Sequence, residues 1–149
     1  MTESPIITAL ASWFGSGRTI APTVGALMKG MKHVTVPFAG SCTELCYIDA
    51  PTLLVSDRHR HLINLARVAA DPVLNLRLRR RLRGTLYHPD SLKTAQVAAW
   101  NWAKFTAGLG DDAPPDLPPD LDAAYAFFVC SWMGRSGKSG TDGEFDGKL

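Results

Sequence analysis

The sequence predicts an α/β fold for the first half of the chain. Three features of residues 19–70 support this class: two apolar runs of strand length, helical periodicity around them, and a glycine corner between them. Helix, strand, helix, strand and helix in this order are typical of parallel strands joined by crossover helices. With 149 residues, the chain is long enough for one domain with a core.

Apolar periodicity predicts the first three elements. Residues 19–30 carry apolar side chains at helical spacing and end in glycine, which indicates a helix. Residues 33–36 are a short run rich in β-branched residues and predict a strand. A helix is then expected over residues 41–49, with Ser41 or Thr43 as its N-terminal cap.

The next two elements complete the alternation. Residues 52–56 are a second apolar run of strand length, which Asp57 ends. Residues 59–70 place leucine and alanine on one face and predict a helix. The Asp71-Pro72 dipeptide then marks a boundary, because a residue before proline avoids the helical region.

A helical segment follows. Residues 73–84 mix leucine and arginine, and residues 91–107 and 121–133 carry apolar stripes at helical spacing. An acidic, proline-rich loop at 110–120 separates the last two. The chain therefore divides into three segments: an α/β part over 1–72, a helical segment over 73–133, and a glycine-rich tail over 134–149.

Composition limits the class of protein. A net charge of +2 and 46% hydrophobic residues are ordinary for a globular chain and do not by themselves imply a polyanionic partner. No apolar run approaches the roughly 18 residues of a membrane span, and the N-terminus lacks the basic region of a signal peptide. Three cysteines, an odd count, argue against a disulfide framework. We therefore expect a cytoplasmic protein without a membrane partner.

Two motif-like stretches are explained better without a ligand. A phosphate-binding loop ending in Gly137-Lys138-Ser139 would need glycine at position 132, which is tryptophan, and it would follow a strand rather than a helix. Cys42 and Cys46 lack the two further ligands that zinc needs, so no metal site is expected.

The VPFAGS stretch at 36–41 turns from a strand toward a helix through Gly40. Backbone amides are unpaired at such a corner, and glycine lets a ligand approach them, although a plain corner is the alternative. Asp57 follows Gly40 by 17 residues, at the end of the next strand. An acidic residue at this place accepts hydrogen bonds from ribose hydroxyls in Rossmann-like sheets. Asp57 would otherwise cap the next helix, and the two roles are compatible.

The glycine pattern limits the class of ligand that this corner could bind. A dinucleotide fingerprint that began at Gly40 would need glycine at positions occupied by Cys42 and Leu45. A ligand with one ribose and no phosphate fits this corner better. S-adenosylmethionine is such a ligand.

Three ordered motifs carry a resemblance to a known family. WFGSGRTIAP at 13–22, VPFAGS at 36–41 and VSDRHRHLINLARVAADP at 55–72 resemble, in this order, the start of DNA adenine methylases. That family shows an aromatic-x-Gly-Gly-Lys loop with Ala-Pro, then Glu-Pro-Phe-x-Gly-x-Gly, then Asn-Asp with a Leu-Ile-Asn-x-x-Arg helix. The resemblance covers about residues 12–72.

The resemblance implies a fold, an activity and a cofactor site. It implies the N-terminal half of a Rossmann-like methyltransferase sheet, and S-adenosylmethionine-dependent methylation of the adenine amino group in DNA. Phe38, Ala39 and Gly40 would line the methionine side, and Asp57 would hold the ribose hydroxyls. The full set of implied cofactor-binding residues is Trp13, Gly15, Arg18, Phe38, Ala39, Gly40 and Asp57.

Several positions depart from the family pattern. Gly17 stands where lysine is common, Val36 where glutamate is, Cys42 where glycine is, and Ser56 where asparagine is. The largest departure is the absence of an Asp-Pro-Pro-aromatic motif, which in the family binds the adenine amino group and stacks on the flipped base. We therefore assign no catalytic residue and expect a cofactor-binding part that is inactive alone: a truncated gene product, one part of a split enzyme, or a fragment. The glycine-rich tail at 134–149 would lead toward the missing recognition and catalytic part. Double-stranded DNA is the expected partner, and a second polypeptide with the missing motif is a further candidate.

An alternative function is a non-catalytic basic module that binds nucleic acid. Residues 77–83 contain five arginines in seven residues, which suits phosphate contact. The same run also suits a solvated helix face, with Leu74, Leu78 and Leu82 turned inward. A fragment without a stable fold is a third possibility.

Overall fold

The fold is described from a computed structural model of the chain. The structure describes residues 9–12, 17–109, 117–135 and 141–147. The chain forms two compact units, Met1–His59 and Arg60–Leu149. A two-stranded parallel sheet lies in the first unit and helices dominate the second, so the predicted mixture of α and β structure is confirmed. The functional division at residue 72 stays a prediction, because compactness does not report on cofactor binding.

The first unit contains short elements. In chain order they are α1 (Ala21–Leu27), β1 (His33–Pro37), a 3₁₀ turn (Glu44–Cys46) and β2 (Thr52–Ser56). The two strands pair in parallel, from His33 beside Thr52 to Pro37 beside Ser56. Both predicted strands and their parallel direction are confirmed. The first helix is also confirmed, although it is shorter than the predicted 19–30.

The helix predicted over 41–49 is wrong. Only the three residues Glu44–Cys46 form a 3₁₀ turn. Cys42 has φ 55°, in the left-handed region, and an α-helix cannot include such a residue. The predicted caps, Ser41 and Thr43, instead hydrogen-bond to each other through their hydroxyls at 2.6 Å. The crossover between the strands is therefore a loop with one helical turn.

α1 packs closely on the loop that precedes β2. A Cβ added at Gly25 would lie 2.7 Å from Tyr47 Cβ and 2.9 Å from the Tyr47 carbonyl carbon. Such distances are far below van der Waals contact, so only glycine fits at this position of α1. The closeness of the two backbones fixes α1 against the crossover loop.

The described residues of the second unit form four helices and two short antiparallel strands. They are α2 (Arg60–Ala70), α3 (Pro72–Arg83), α4 (Pro89–Gly108), α5 (Leu121–Met133), β3 (Gly134–Arg135) and β4 (Glu144–Phe145). The helices predicted from periodicity are confirmed. The antiparallel pairing of β3 with β4 was not predicted, because strands of two residues carry no measurable apolar period.

Caps explain where these helices begin. Asp71 accepts hydrogen bonds from the amides of Val73 (2.9 Å) and Leu74 (2.8 Å), and proline occupies the first turn of α3. Asp120 likewise accepts from the Ala123 amide at 2.9 Å and starts α5. The boundary predicted at Asp71-Pro72 is thus the start of α3.

The core of the second unit lies around α5, which buries eight of its 13 residues. Phe127 is fully buried and stacks on His61 of α2, with ring centroids 5.3 Å apart. Alanines on α4 and α5 let these two helices approach closely. The buried cluster they form is Leu92, Ala95, Ala99, Ala126, Val129, Cys130 and Met133. Among the described residues, no helix is both long enough and apolar enough to cross a membrane.

Candidate functional site

The two parallel strands end side by side. Pro37, the last residue of β1, pairs with Ser56, the last residue of β2. The loops that begin at Phe38 and Asp57 therefore leave the sheet at the same edge. In open α/β sheets, ligands bind at this carboxyl edge.

Hydrogen bonds join the two loops. The Ala39 amide donates to the Ser56 carbonyl at 3.1 Å, which extends the strand pairing by one residue. The Gly40 amide donates to Asp57 Oδ2 at 2.9 Å. The structure thus brings together Gly40 and Asp57, which the sequence predicts to share one site.

This arrangement corrects one expectation about the glycine corner. The amides of Ala39 and Gly40 are both paired within the protein, so these two amides are not open to a ligand. The Asp57 carboxylate, at the end of the neighbouring strand, lies close enough to accept a hydrogen bond from the Gly40 amide. Gly40 can still contribute to a ligand site, because it has no side chain that would keep a ligand away from its backbone.

Asp57 combines two roles. Its Oδ1 accepts the His59 amide at 2.8 Å, immediately before α2 begins, as expected of a capping residue. Each carboxylate oxygen offers about two acceptor positions, and each has one protein partner here. One position on each oxygen therefore remains for the hydroxyl groups of a ligand. Capping and ribose binding stay compatible.

The backbone of the loop after β1 is unusual. Phe38, Gly40 and Cys42 all lie in the left-handed region, with φ of 56°, 49° and 55°. A non-glycine residue in a sparsely populated region costs about 1–3 kcal/mol and persists only where surrounding contacts hold it. The bond from the Cys42 amide to the Ala39 carbonyl, at 2.8 Å, helps to hold this turn. Such strain is concentrated at ligand-binding sites.

The side chains of the loop point to opposite environments. Phe38 is 81% exposed, whereas Ala39 is buried. The aromatic ring of the first residue after β1 is thus presented to solvent at the edge where the strands end. A large exposed apolar ring at this place is a suitable surface for an apolar or cationic part of a ligand.

Described residues on both sides of the 13–16 segment contact the same loop. The Leu10 amide donates to the Ser41 carbonyl at 2.8 Å. At the other flank, a Cβ built at Gly17 would collide with the Glu44 carboxylate. Both described flanks of residues 13–16 therefore lie against the 38–46 loop. Trp13 and Gly15, two predicted cofactor residues, lie outside the described residues.

Arg18 and Glu44 complete the described part of this region. Arg18 is exposed in the turn before α1. Glu44 did not appear among the residues that the sequence singles out. Nothing in the sequence marks it, because its closeness to Gly17, where an added side chain would have to displace the Glu44 carboxylate, depends on the folded path of the loop.

The cysteines remain protonated at neutral pH. Burial, followed by the charges of Asp57 and Glu44, raises the pKa of the Cys42 thiol from 9.0 to about 11. Burial raises the pKa of Cys130 to about 12 and also raises that of Cys46. A thiol with a raised pKa is a poor nucleophile, so none of the three suits covalent catalysis.

A cavity of about 380 Å³ lies elsewhere, in the second unit. It is lined mainly by residues of α4 and α5, and it contains none of the predicted cofactor residues.

No protein-family model, curated protein or solved structure matches the chain. A functional proposal must therefore rest on the motifs and on the geometry at the ends of β1 and β2.

Proposed function

We propose that this chain is the cofactor-binding part of an S-adenosylmethionine-dependent methyltransferase that acts on the adenine amino group of double-stranded DNA. The hydrogen bond of 2.9 Å between the Gly40 amide and Asp57 Oδ2 carries the proposal. It joins the second and third motifs at the edge of a parallel sheet where nucleosides bind. In this proposal, β1 and β2 belong to the N-terminal half of a Rossmann-like methyltransferase sheet.

The proposed roles follow the geometry. Asp57 accepts the ribose hydroxyls with the acceptor positions that Gly40 and His59 leave open. Gly40 lets the cofactor lie against the backbone, and the exposed Phe38 ring lies toward the methionine side, where the sulfonium carries its positive charge. The first motif supplies Trp13, Gly15 and Arg18 from the segment whose flanks lie on this loop.

The transfer itself needs alignment rather than a covalent intermediate. In the complete enzyme, the adenine amino nitrogen would attack the sulfonium methyl in line, and S-adenosylhomocysteine would leave as the carbon–sulfur bond breaks. The proton of the amino group would pass to an acceptor beside the adenine or to water. The sequence holds no Asp-Pro-Pro-aromatic motif, so in this proposal the groups that bind the flipped adenine belong to a part of the enzyme outside this sequence, on the same chain or on a second polypeptide.

Isothermal titration calorimetry with S-adenosylmethionine tests the cofactor site. We expect binding by the wild type and at least about a tenfold loss in Asp57→Ala, because a hydrogen bond to a carboxylate contributes about 1.5–3 kcal/mol. Asp71→Ala is the matched control, since Asp71 also accepts two backbone amides before a helix but lies in the second unit. A cooperatively folded wild type without binding, or equal affinity in Asp57→Ala, would refute the proposal.

A methylation assay tests whether this chain can complete the transfer alone. Purified chain, duplex DNA and labelled cofactor should produce no N6-methyladenine. Product formed by the chain alone would contradict the proposed division of labour. The alternative function, a nucleic-acid-binding module without catalysis, is favoured by one observation, the arginine-rich surface of α3.

A further inference from the structure

The positive charge of the chain is concentrated in one segment. The whole sequence has 16 lysines and arginines against 14 acidic residues. Residues 60–84 alone contain seven arginines and a single acidic residue, Asp71. The small net charge of +2 therefore hides a strongly basic region, and such asymmetry is typical of chains that bind polyanions.

Three of the seven arginines are used within the second unit. Arg60 donates to the Thr106 carbonyl, and Arg67 donates to the Leu117 carbonyl at 2.8 Å. Arg81 forms an ion pair with Asp122 and also lies 3.9 Å from the centre of the Tyr125 ring. These arginines stabilise contacts inside the unit.

The other four form what we call the α3 arginine face: Arg77, Arg79, Arg80 and Arg83. All four are exposed, and none makes a hydrogen bond or ion pair with any residue that the structure describes. On the opposite side of the helix, Leu78 is buried and Leu74 and Leu82 are half-buried. The apolar stripe of α3 is thus used for packing, and the arginine face is left to solvent.

Repulsion makes this face unfavourable without a counter-charge. Arg77, Arg80 and Arg83 follow one another three residues apart, and like charges at this spacing destabilise a helix. Within the part of the chain that the structure describes, the helices packed on α3 offer no free acidic side chain: α2 has none, and Asp122 of α5 already pairs with Arg81. A polyanion would relieve the repulsion.

Duplex DNA fits this face. From Arg77 to Arg83 the helix rises about 9 Å. A duplex carries one negative charge per about 1.7 Å, so a comparable length presents about five phosphates. Guanidinium groups suit phosphate because they donate in a planar fork. An anionic membrane fits less well, because a helix that lies in a membrane surface inserts a continuous apolar face. The leucine stripe of α3 packs inward, and only Val73 and Leu76 are exposed apolar side chains on its solvent side.

We propose that the α3 arginine face binds the phosphate backbone of double-stranded DNA and holds the duplex without reading its sequence. The choice of DNA rests on the proposed function, whereas the polyanion-binding face stands on the arginines alone. We therefore expect the α3 arginine face to bind DNA in the absence of cofactor.

Fluorescence anisotropy of a labelled duplex of arbitrary sequence tests this proposal, with the full chain and no cofactor. The test variant is Arg77→Gln/Arg80→Gln/Arg83→Gln. The control is Lys29→Gln/Lys32→Gln/Lys93→Gln, which removes the same charge from three exposed lysines outside α3. We expect the test variant to weaken binding at least about tenfold and to reduce the salt slope of log affinity by about 2–3. The control should change the affinity by less than about threefold.

A single variant, Arg80→Gln, guards against a folding defect and should reduce the slope by about one. Equal loss in the arginine and lysine variants would overturn the proposal, because only total charge would then matter. Binding to phosphatidylserine vesicles without binding to the duplex would also overturn it. Calorimetry separates the two proposals: the arginine variant should still bind S-adenosylmethionine as the wild type does, and Asp57→Ala should still bind DNA.

Discussion

The two units bury their apolar side chains to different extents. In the second unit, Leu62, Leu65 and Phe127 are fully buried around α5. In the first unit, four of the five β2 residues are exposed, and Leu54 is 56% exposed. Parallel strands are normally covered on both faces. The second unit is therefore built around a core, whereas the first has an unusually open parallel sheet.

The difference indicates where stability and binding reside. The first unit depends on hydrogen bonds between loops and on close backbone contacts, such as Gly40 with Asp57 and Gly25 with Tyr47. Regions with few buried apolar contacts open at lower free energy, and ligand-binding loops belong to them. We expect the first unit to be the less stable one, and a bound cofactor to stabilise it by mass action.

Removal of the core ring of the second unit should have the largest effect. Phe127→Ala should lower the free energy of unfolding by about 3–5 kcal/mol, because it leaves a cavity beside His61. Urea denaturation followed by circular dichroism measures this change. Phe105→Ala is the matched control, since Phe105 is 60% exposed, and it should cost less than about 1 kcal/mol. Equal effects would mean that α5 is not the centre of the core.

A smaller loss is expected from the first unit. Gly25→Ala should destabilise by about 1–3 kcal/mol, because the added methyl would overlap the Tyr47 backbone. Amide hydrogen exchange should show the loss in β1 and β2 and not in α5. Gly108→Ala, where nothing lies near the added methyl, should be neutral or slightly stabilising. Faster amide exchange in α5 of the Gly25→Ala variant would mean that the two units do not lose stability independently.

Helix termini of the second unit should contribute less again. Asp120→Ala removes the cap of α5 and should cost about 1 kcal/mol. Asp122→Ala removes only an exposed ion pair with Arg81 and should cost about 0–1 kcal/mol. Thermal melting of both variants checks the order. A larger loss at Asp122 than at Asp120 would show that surface charge, not capping, stabilises α5.

The buried thiols allow the two units to be compared at different pH values, because Cys42 lies in the first unit and Cys130 in the second. At neutral pH we expect native Cys42 and Cys130 to resist alkylation, because burial raises their pKa values to about 11 and about 12. Since these values exceed the usual 9.0, their contribution to stability is present below about pH 9 and is lost as pH rises toward 11–12. Mass spectrometry after timed alkylation measures the rates. Rapid modification of Cys42 at pH 7 would contradict its burial.

Elements that follow a regular apolar pattern could be predicted from the sequence. Both strands are short apolar or β-branched runs. The α-helices of the described residues carry apolar side chains at helical spacing, because a helix that buries one face repeats its apolar residues with that period. The missed features depend on contacts that no period reports. The left-handed turn at Cys42 ends the predicted 41–49 helix, and the hairpin of β3 and β4 contains only two residue pairs.

The candidate site could also be predicted in part from the sequence. Parallel strands that end together bring Gly40 and Asp57 to one edge, and this followed from their order in the chain. The bond between them did not follow, because it depends on the path of the strained loop after Phe38. The approach of Gly17 to Glu44 also depends on that path and on the 3₁₀ turn.

The central claim is that S-adenosylmethionine binds where β1 and β2 end. An amide-resolved NMR titration of the labelled chain tests it most directly. We predict saturable shifts at Ala39, Gly40 and His59, with the amides of α5 unchanged. A folded chain whose 38–59 amides do not move at saturating cofactor, or whose shifts are confined to the second unit, would contradict the account.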